Sequence, residues 1–322
     1  MKAKSLAQWL PAVLLVAAAI FLALGPFFLK GYWIRVLTSM FMFAVVAEGI
    51  NLIAGYTGYP AFGNVVFFGV GAYTVAILMT RAGLPFAVSL VAAGVVAALF
   101  AVVLGFPILR LSGHYFAIAT IGVNIATREI VTNLDVTGGG HGIALPVAQG
   151  SPAVLYGFFY YLMFLLMVAT VAATWWISRN PFGFALRAIR DEKDAAEVMG
   201  IDTTVYKVAA WAVSALFTGL AGGIYAYWMS FLEPAYAFDV TISVKGFAMM
   251  LMGGLGTVTG PVLGAFFLEL LSEVVWGSFL NLHLLILGLF IILVVIFMPR
   301  GLLNWLNGWR LLRKSLGLEQ RG

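Results

Sequence analysis

SRNPFGFALRAIRDEKDAAEVMGIDTTVYK, residues 178–207, is a polar island between two long apolar runs. It gathers Arg179, Arg187, Arg190, Lys193 and Lys207 with Asp191, Glu192, Asp194, Glu197 and Asp202, in a chain only 10% charged. The flanking runs, 153–177 and 208–228, are each long enough to cross a bilayer, which takes about 20 apolar residues. A charged segment held between two spans implies an all-α, polytopic membrane protein. It also implies a partner at the membrane surface, because a chain this sparing with charge has a use for the charges it concentrates. At 63% hydrophobic, 322 residues carry more apolar surface than one soluble core could hide.

Working outward from the island gives ten candidate spans: 11–29, 33–54, 61–80, 85–109, 115–134, 153–177, 208–228, 241–255, 260–280 and 283–298. Lys and Arg concentrate in cytoplasmic loops, and an even count of spans places both termini inside. Lys2, Lys4, Arg110, the five cations of the island, Arg300, Arg310, Arg313, Lys314 and Arg321 then fall inside. Only Lys30, Arg35 and Arg81 fall outside, and segments 135–152 and 229–240 carry neither Lys nor Arg. The expected topology is N-in and C-in, with eight spans if a weak hairpin is re-entrant. Lys2 and Lys4 before an apolar run resemble a signal peptide, but the run to Leu29 exceeds an ordinary signal core and more spans follow at once. Retention as the first span is expected.

With no cysteine, thiolate chemistry, disulfides and Cys-ligated metals are excluded, and His114, His141 and His283 are too far apart to suggest a metal site. Nucleophile-elbow, zinc-protease and phosphate-loop signatures are absent, so no cofactor is expected on this chain. The formal net charge of +5 reads as membrane topology, not nucleic-acid affinity.

Two glycine-dense stretches interrupt the apolar pattern: Gly55 to Asn64, followed by Gly69 and Gly71, and Gly253 to Pro261, followed by Gly264. Broken helices at corresponding places in two halves point to a transport site; glycines also let helices pack and turn. Both readings stand. Polar residues inside spans are costly and tend to face a bundle interior or a water path. Glu48, Asn51 and Gly55 share one helix face; Thr120, Asn124, Thr127, Arg128 and Thr132 share another, with Glu129 beside them. Glu48, Asn51, Asn64, Asn124 and Arg128 are the pathway candidates, although the second stripe would serve equally as a seam between helices. Lys245 and Glu269 lie almost symmetrically about the turn 256–259, so an antiparallel hairpin brings them to one depth as a structural ion pair.

Within the island, Asp194-Ala195-Ala196-Glu197-Val198-Met199-Gly200 matches the EAA-x-x-x-G pattern of ABC-importer permeases, with Asp for the first Glu. A short helix ended by Gly200 would seat in a groove of an ATPase, small Ala195 and Ala196 allowing close approach. The run from Phe182 to Tyr227 resembles the LivM-type permeases of branched-chain amino-acid ABC importers. So do NLIAGYTGYPAFGNVVFFGVGAY from Asn51, LSGHYFAIATIGVN from Leu111, GGLGTVTGPVLGA from Gly253 and PRGL from Pro299. These blocks cover nearly the whole chain in order.

The resemblance implies one permease domain over 1–322 in the bacterial inner membrane, with a coupling loop at 178–207 and a basic tail at 300–322. That tail would lie at the inner leaflet, with Trp305 and Trp309 at the interface. The implied partners are a LivH-type second permease, two cytoplasmic ATPases that bind ATP and Mg, and a periplasmic solute-binding protein. Ala195, Ala196 and Gly200, with Asp194, would form the coupling contact, and Arg187, Arg190, Asp191 and Glu192 would order its flanks. Family members often carry GYTGQ-x-SLGH, where this chain has Tyr59, Pro60, Ala61, Phe62 and Asn64, and Glu48 stands where an apolar residue is usual. The cargo is therefore left open between branched-chain amino acids and urea, amides or aromatic acids. A stand-alone secondary transporter would share the breaks and the buried charges, but would not need the DAAEVMG segment.

Overall fold

The computed structural model describes residues 21–148 and 150–278, with Gly288, Leu289 and Ile292. Residues 11–20 of the first expected span, most of the tenth, and the basic tail with Trp305 and Trp309 lie outside the described residues. The chain runs through α1 (Gly25–Phe28), α2 (Gly31–Ile50), α3 (Val65–Thr80), α4 (Phe86–Ile108), α5 (Gly113–Asn133) and α6 (Pro152–Arg179). It continues as α7 (Pro181–Asp191), α8 (Lys193–Val198), α9 (Thr203–Met229), α10 (Pro234–Ala237), α11 (Val240–Gly253) and α12 (Gly260–Ser278). Hydrocarbon offers no partner for a free N–H or C=O, so a spanning chain closes its hydrogen bonds within helices. Among the described residues, Gly31–Gly55, Phe86–Ile108, Pro152–Arg179, Thr203–Met229 and Pro234–Gly253 are long and apolar enough to cross a membrane. This is a multi-pass membrane protein.

α2 is the axis of the bundle, buried from Met40 to Ile50 and continuing into a π-helical turn, Asn51–Gly55. One apolar core joins α2 to α6, α11 and α12 through Phe41, Tyr160, Met249 and Leu268. A second joins α3 to α4 and α9 through Phe67, Ala97 and Trp211. The α3–α9 contact is backbone to backbone. A Cβ on Gly222 would strike the Phe68 carbonyl, and one on Gly71 the carbonyl of Gly219, the close approach that small residues permit between membrane helices.

Two expected boundaries move. The third span was read from residue 61, but its helix begins at Val65, because Gly58 takes a φ of +78°, Pro60 follows, and residues 58–64 run as irregular chain. The seventh was read from residue 208, but its helix begins at Thr203, where the Asp202 carboxylate accepts from the amides of Thr204 and Val205 at 3.1 Å each. The polar island is thus mostly helical.

The connections sort to two ends. At one, β1 (Ile143–Ala144) pairs antiparallel with β2 (Phe231–Leu232), and Arg81 Nη2 donates to the Asp135 carbonyl at 3.4 Å. At the other, the two glycine breaks, the α4–α5 turn and the α7–α8 segment meet.

Candidate functional site

Asn180 and Pro181 start α7 directly after α6, with proline in the first turn where its missing N–H costs nothing. α7 is amphipathic: Leu186 and Ile189 are buried, Leu186 in a cluster with Leu52, Tyr56, Ile177 and Ala210. Its first turn is tied back by Arg187, whose Nη2 donates to the Ser178 carbonyl at 2.7 Å. Asp191 and Glu192 lie exposed at the bend into α8. α8 ends on Gly200, with φ +86°; the amides of Gly200 and Ile201 donate to the carbonyls of Glu197 and Ala196 at 3.0 and 3.1 Å, the Schellman arrangement.

Of the small residues in this motif, Ala195 and Gly200 face outward with Asp194, while Ala196 is buried against the protein's own fold. The outward tip contains two apolar residues that the motif pattern does not specify, Val198 and Met199, 87% and 82% exposed. Their signal in the sequence is an apolar pair inside a polar island, directly before the helix-ending glycine. Behind the tip, the Thr203 hydroxyl donates to Glu197 Oε1 at 2.6 Å and holds that carboxyl below its usual range, with help from Lys193 at 3.4 Å.

The last turn of α7 reaches the glycine breaks. Arg190 Nη1 donates to the carbonyl of Gly55 at 2.7 Å. From the same π-helical turn, the Asn51 side chain binds the second break with both of its ends. Its Oδ1 accepts from the Gly256 amide at 2.9 Å, and its Nδ2 donates to the Thr257 carbonyl at 2.8 Å. A Cβ on Gly256 would lie 2.6 Å from Arg190 Nη1 and 3.0 Å from the Gly55 carbonyl oxygen. The two breaks, about 200 residues apart in sequence, are therefore one junction, with the α7 arginine as its third member. Glu48, one turn before Asn51, is fully buried; one carboxylate oxygen lies 3.5 Å from Asn51 Nδ2 and the other has no hydrogen-bond partner.

The remaining candidates lie elsewhere. Asn64 is buried between α3 and α9, donating to Ser214 Oγ at 3.3 Å and accepting from Trp211 Nε1 at 3.1 Å. Thr120 Oγ1 accepts from the Gly63 amide at 3.1 Å, and Asn124 Nδ2 donates to the Phe238 carbonyl at 2.9 Å. The inner half of the α5 stripe is thus a seam. Arg128 lies outside it, 3.2 Å from Glu129 on a half-exposed surface. Lys245 Nζ is 3.1 Å from Glu269 Oε2, with Ser39 donating to the second oxygen at 2.9 Å and the ammonium 4.4 Å from the Phe43 ring centroid.

Lys207, counted as a loop cation from sequence, is 1% exposed; it donates to the Leu109 carbonyl and the Tyr59 hydroxyl at 3.0 Å each. It pins the start of α9 to the end of α4 and to the first break. No group of three or more His, Asp or Glu among the described residues could hold a metal ion.

The family described as "Branched-chain amino acid transport system / permease component" matches residues 32–295. The chain is 30% identical to the high-affinity branched-chain amino acid transport system permease protein LivM of Salmonella typhimurium, aligning 92% of this chain with 74% of that one. It is 24% identical to the probable LivM of Methanocaldococcus jannaschii, over 81% of this chain and 90% of the other. It is also 24% identical to the LivH permease of Escherichia coli, over 81% and 91%. No solved structure is matched.

Proposed function

Because this chain belongs to the family of branched-chain amino acid transport system permease components, we propose that it is the membrane-spanning permease subunit of an ATP-driven ABC importer. It passes a small polar solute, in the first instance a branched-chain amino acid, across the bacterial inner membrane. A periplasmic binding protein delivers the solute, a LivH-type permease forms the other half of the path, and two cytoplasmic ATPases bind ATP and Mg. The end bearing α7 and α8 faces the cytoplasm. The chain itself performs no hydrolysis.

One observation carries this reading: the α7–α8 segment is exposed at its tip and hydrogen-bonded at its base, through Arg190, to the first glycine break, which Asn51 in turn ties to the second. A displacement of α8 by an ATPase would be delivered through Arg190 to the π-helical turn of α2 and, through Asn51, to the α11–α12 turn. Open backbone at a helix break moves at little cost, whereas packed helix does not. ATP binding would thus shift the population between outward- and inward-open states by moving this junction.

The test is Gly200→Glu in the assembled importer. The left-handed φ penalises any side chain with a Cβ, but an added Cβ meets nothing within 4 Å, so the variant puts a carboxylate on the exposed tip without a clash at its root. Insertion and folding are expected to persist while solute-stimulated ATP hydrolysis and uptake are lost together. Wild-type uptake by this variant would refute the coupling role. Purification of the tagged chain in mild detergent should bring down a second permease and ATPase subunits.

A further inference from the structure

The outward faces of neighbouring helices α4 and α5 differ in chemistry. On α4 the exposed positions include Val91, Val95, Leu99, Val103 and Phe106, the aliphatic surface that lipid requires. On α5 the exposed side runs through Tyr115, Ile118, Gly122, Ile125, Ala126, Glu129 and Ile130, two small residues and a carboxylate among apolar side chains. A Cβ at Gly122 would meet nothing within 4 Å, so that face is open space. Glu129 and its neighbour Arg128 keep 55% and 40% of their side chains exposed. The opposite face of α5 is committed to the seam of Thr120 and Asn124, so the helix has a polar buried face and carries a carboxylate on its outward one. α5, unlike α4, is not among the described helices apolar enough to cross a membrane on their own, and a helix of that polarity packs against protein or water rather than acyl chains.

A second observation lies at the outer end of the same helix. A cleft of about 330 Å³ is lined by Arg128, Glu129, Thr132 and Glu233, the last from the β2–α10 connection. It presents a guanidinium and two carboxylates within one small volume. That is the complement of a molecule carrying both an ammonium and a carboxylate.

We propose that the outward face of α5 is the wall of the solute path, and that this cleft is its mouth, receiving the charged head of a zwitterionic solute. Arg128 takes the carboxylate; Glu233 takes the ammonium, with Glu129 holding the arginine in place. The mixed Ile, Gly and Ala surface below accommodates an apolar side chain without holding it. The proposal rests on the permease reading and narrows its cargo to amino-acid-like zwitterions over neutral amides. It also moves the path off Asn51, Asn64 and Asn124, whose side chains are engaged in holding helices and breaks together.

The chain has no cysteine, so single-cysteine variants need no prepared background. Gly122→Cys and Ala126→Cys on α5, with Val95→Cys and Leu99→Cys on α4, would be exposed in the assembled complex to a membrane-impermeant methanethiosulfonate, labelling being read on this chain by mass. Ile118→Cys is the reserve if Gly122→Cys does not assemble. The α5 cysteines are expected to react at least about tenfold faster than the α4 pair, because thiolate chemistry needs water. Millimolar L-leucine should slow the reaction at Ala126→Cys, whereas L-leucinamide, which lacks the carboxylate, should not. Arg128→Gln should remove the L-leucine protection while leaving the labelling rate high.

Equal rates on α4 and α5 would overturn the wall. Fast labelling that L-leucine and L-leucinamide slow equally, or not at all, would overturn the mouth. Fast, leucine-protected labelling in a complex whose uptake ignores ATP would keep this proposal and discard the ATP-driven reading. Silent α5 cysteines in an ATP-driven complex would do the reverse.

Discussion

The two ends of the bundle are built on opposite plans. At the end bearing α7, three segments distant in sequence are locked by short hydrogen bonds. Arg190 binds Gly55 at 2.7 Å, and Asn51 binds Gly256 and Thr257 at 2.9 and 2.8 Å. At the other end, the connections are held mainly by backbone pairing, the two-residue strand pair being extended by the Leu145 amide on the Ser230 carbonyl at 2.9 Å. Asn124 on the Phe238 carbonyl at 2.9 Å and a long Arg81–Asp135 contact add to it, and a cleft opens beside α5. The first end joins its parts through side chains, so a displacement of one passes to the others, whereas the second keeps a cleft lined by Arg128, Glu129 and Glu233. On the proposed reading, the difference would separate coupling from selection along the axis of the protein, with Glu48 and Asn51 of α2 and its π-helical turn at the coupling end.

Substitutions at the two ends should therefore differ in kind. The largest effect is expected at Gly256→Val. Its φ of +73° disfavours a β-branched residue, and the added Cβ would lie 3.0 Å from the Gly55 carbonyl oxygen and displace Arg190 Nη1, so strain of about 1–3 kcal/mol should fall on the junction. Thermal unfolding of the purified complex should shift down by several degrees and uptake should disappear. Normal uptake would show that the junction transmits nothing.

Next is Arg190→Ala, which removes a charge-assisted hydrogen bond worth about 1.5–3 kcal/mol. Uptake should fall roughly tenfold or more while basal ATP hydrolysis and membrane levels hold, since a loss confined to coupling separates the two rates. A parallel loss of both rates and of protein would make Arg190 a folding residue only, and would dissolve the contrast between the ends.

Acidification should give a smaller change at the same end. The Glu197 carboxyl is held below its usual range chiefly by the Thr203 hydroxyl, so its contribution is present above the unfolded carboxylate value and is lost as pH falls through the folded one. Protection of the α8 amides, taken relative to their intrinsic exchange rate at each pH, should fall as pH drops below the ordinary carboxylate range, and Thr203→Val should move that onset to higher pH. An onset unaffected by Thr203→Val would break the link.

The smallest effect is expected at the outer end. Arg81→Ala removes only an exposed 3.4 Å contact and should change stability by no more than about 0.5 kcal/mol. A large loss there would mean that the outer end is clamped after all.

Much of this was legible because membrane helices advertise themselves. Long apolar runs, a charged island and a helix-ending Gly200 each carry their meaning locally, and the placement of Lys245 and Glu269 about a turn needs only a hairpin to bring them to 3.1 Å. Helix starts were less legible. Val65 and Thr203 follow from a left-handed glycine and a carboxylate cap, not from apolar content. Lys207 read as a loop cation because hydropathy ignores reach; a long side chain can bury its charge against a carbonyl and a tyrosine at no visible cost in the pattern.

The amino-acid sequence by itself determined the class of molecule, the alternation of spans and the family, because hydrophobic length and local motifs are properties of contiguous residues. Only the tertiary structure decided that the two glycine breaks form one joint, that Arg190 belongs to it, and that the polar stripe of α5 divides into a buried seam and an open face. Those facts depend on which helix stands beside which, and packing between segments 100 or 200 residues apart leaves no periodicity in either segment alone.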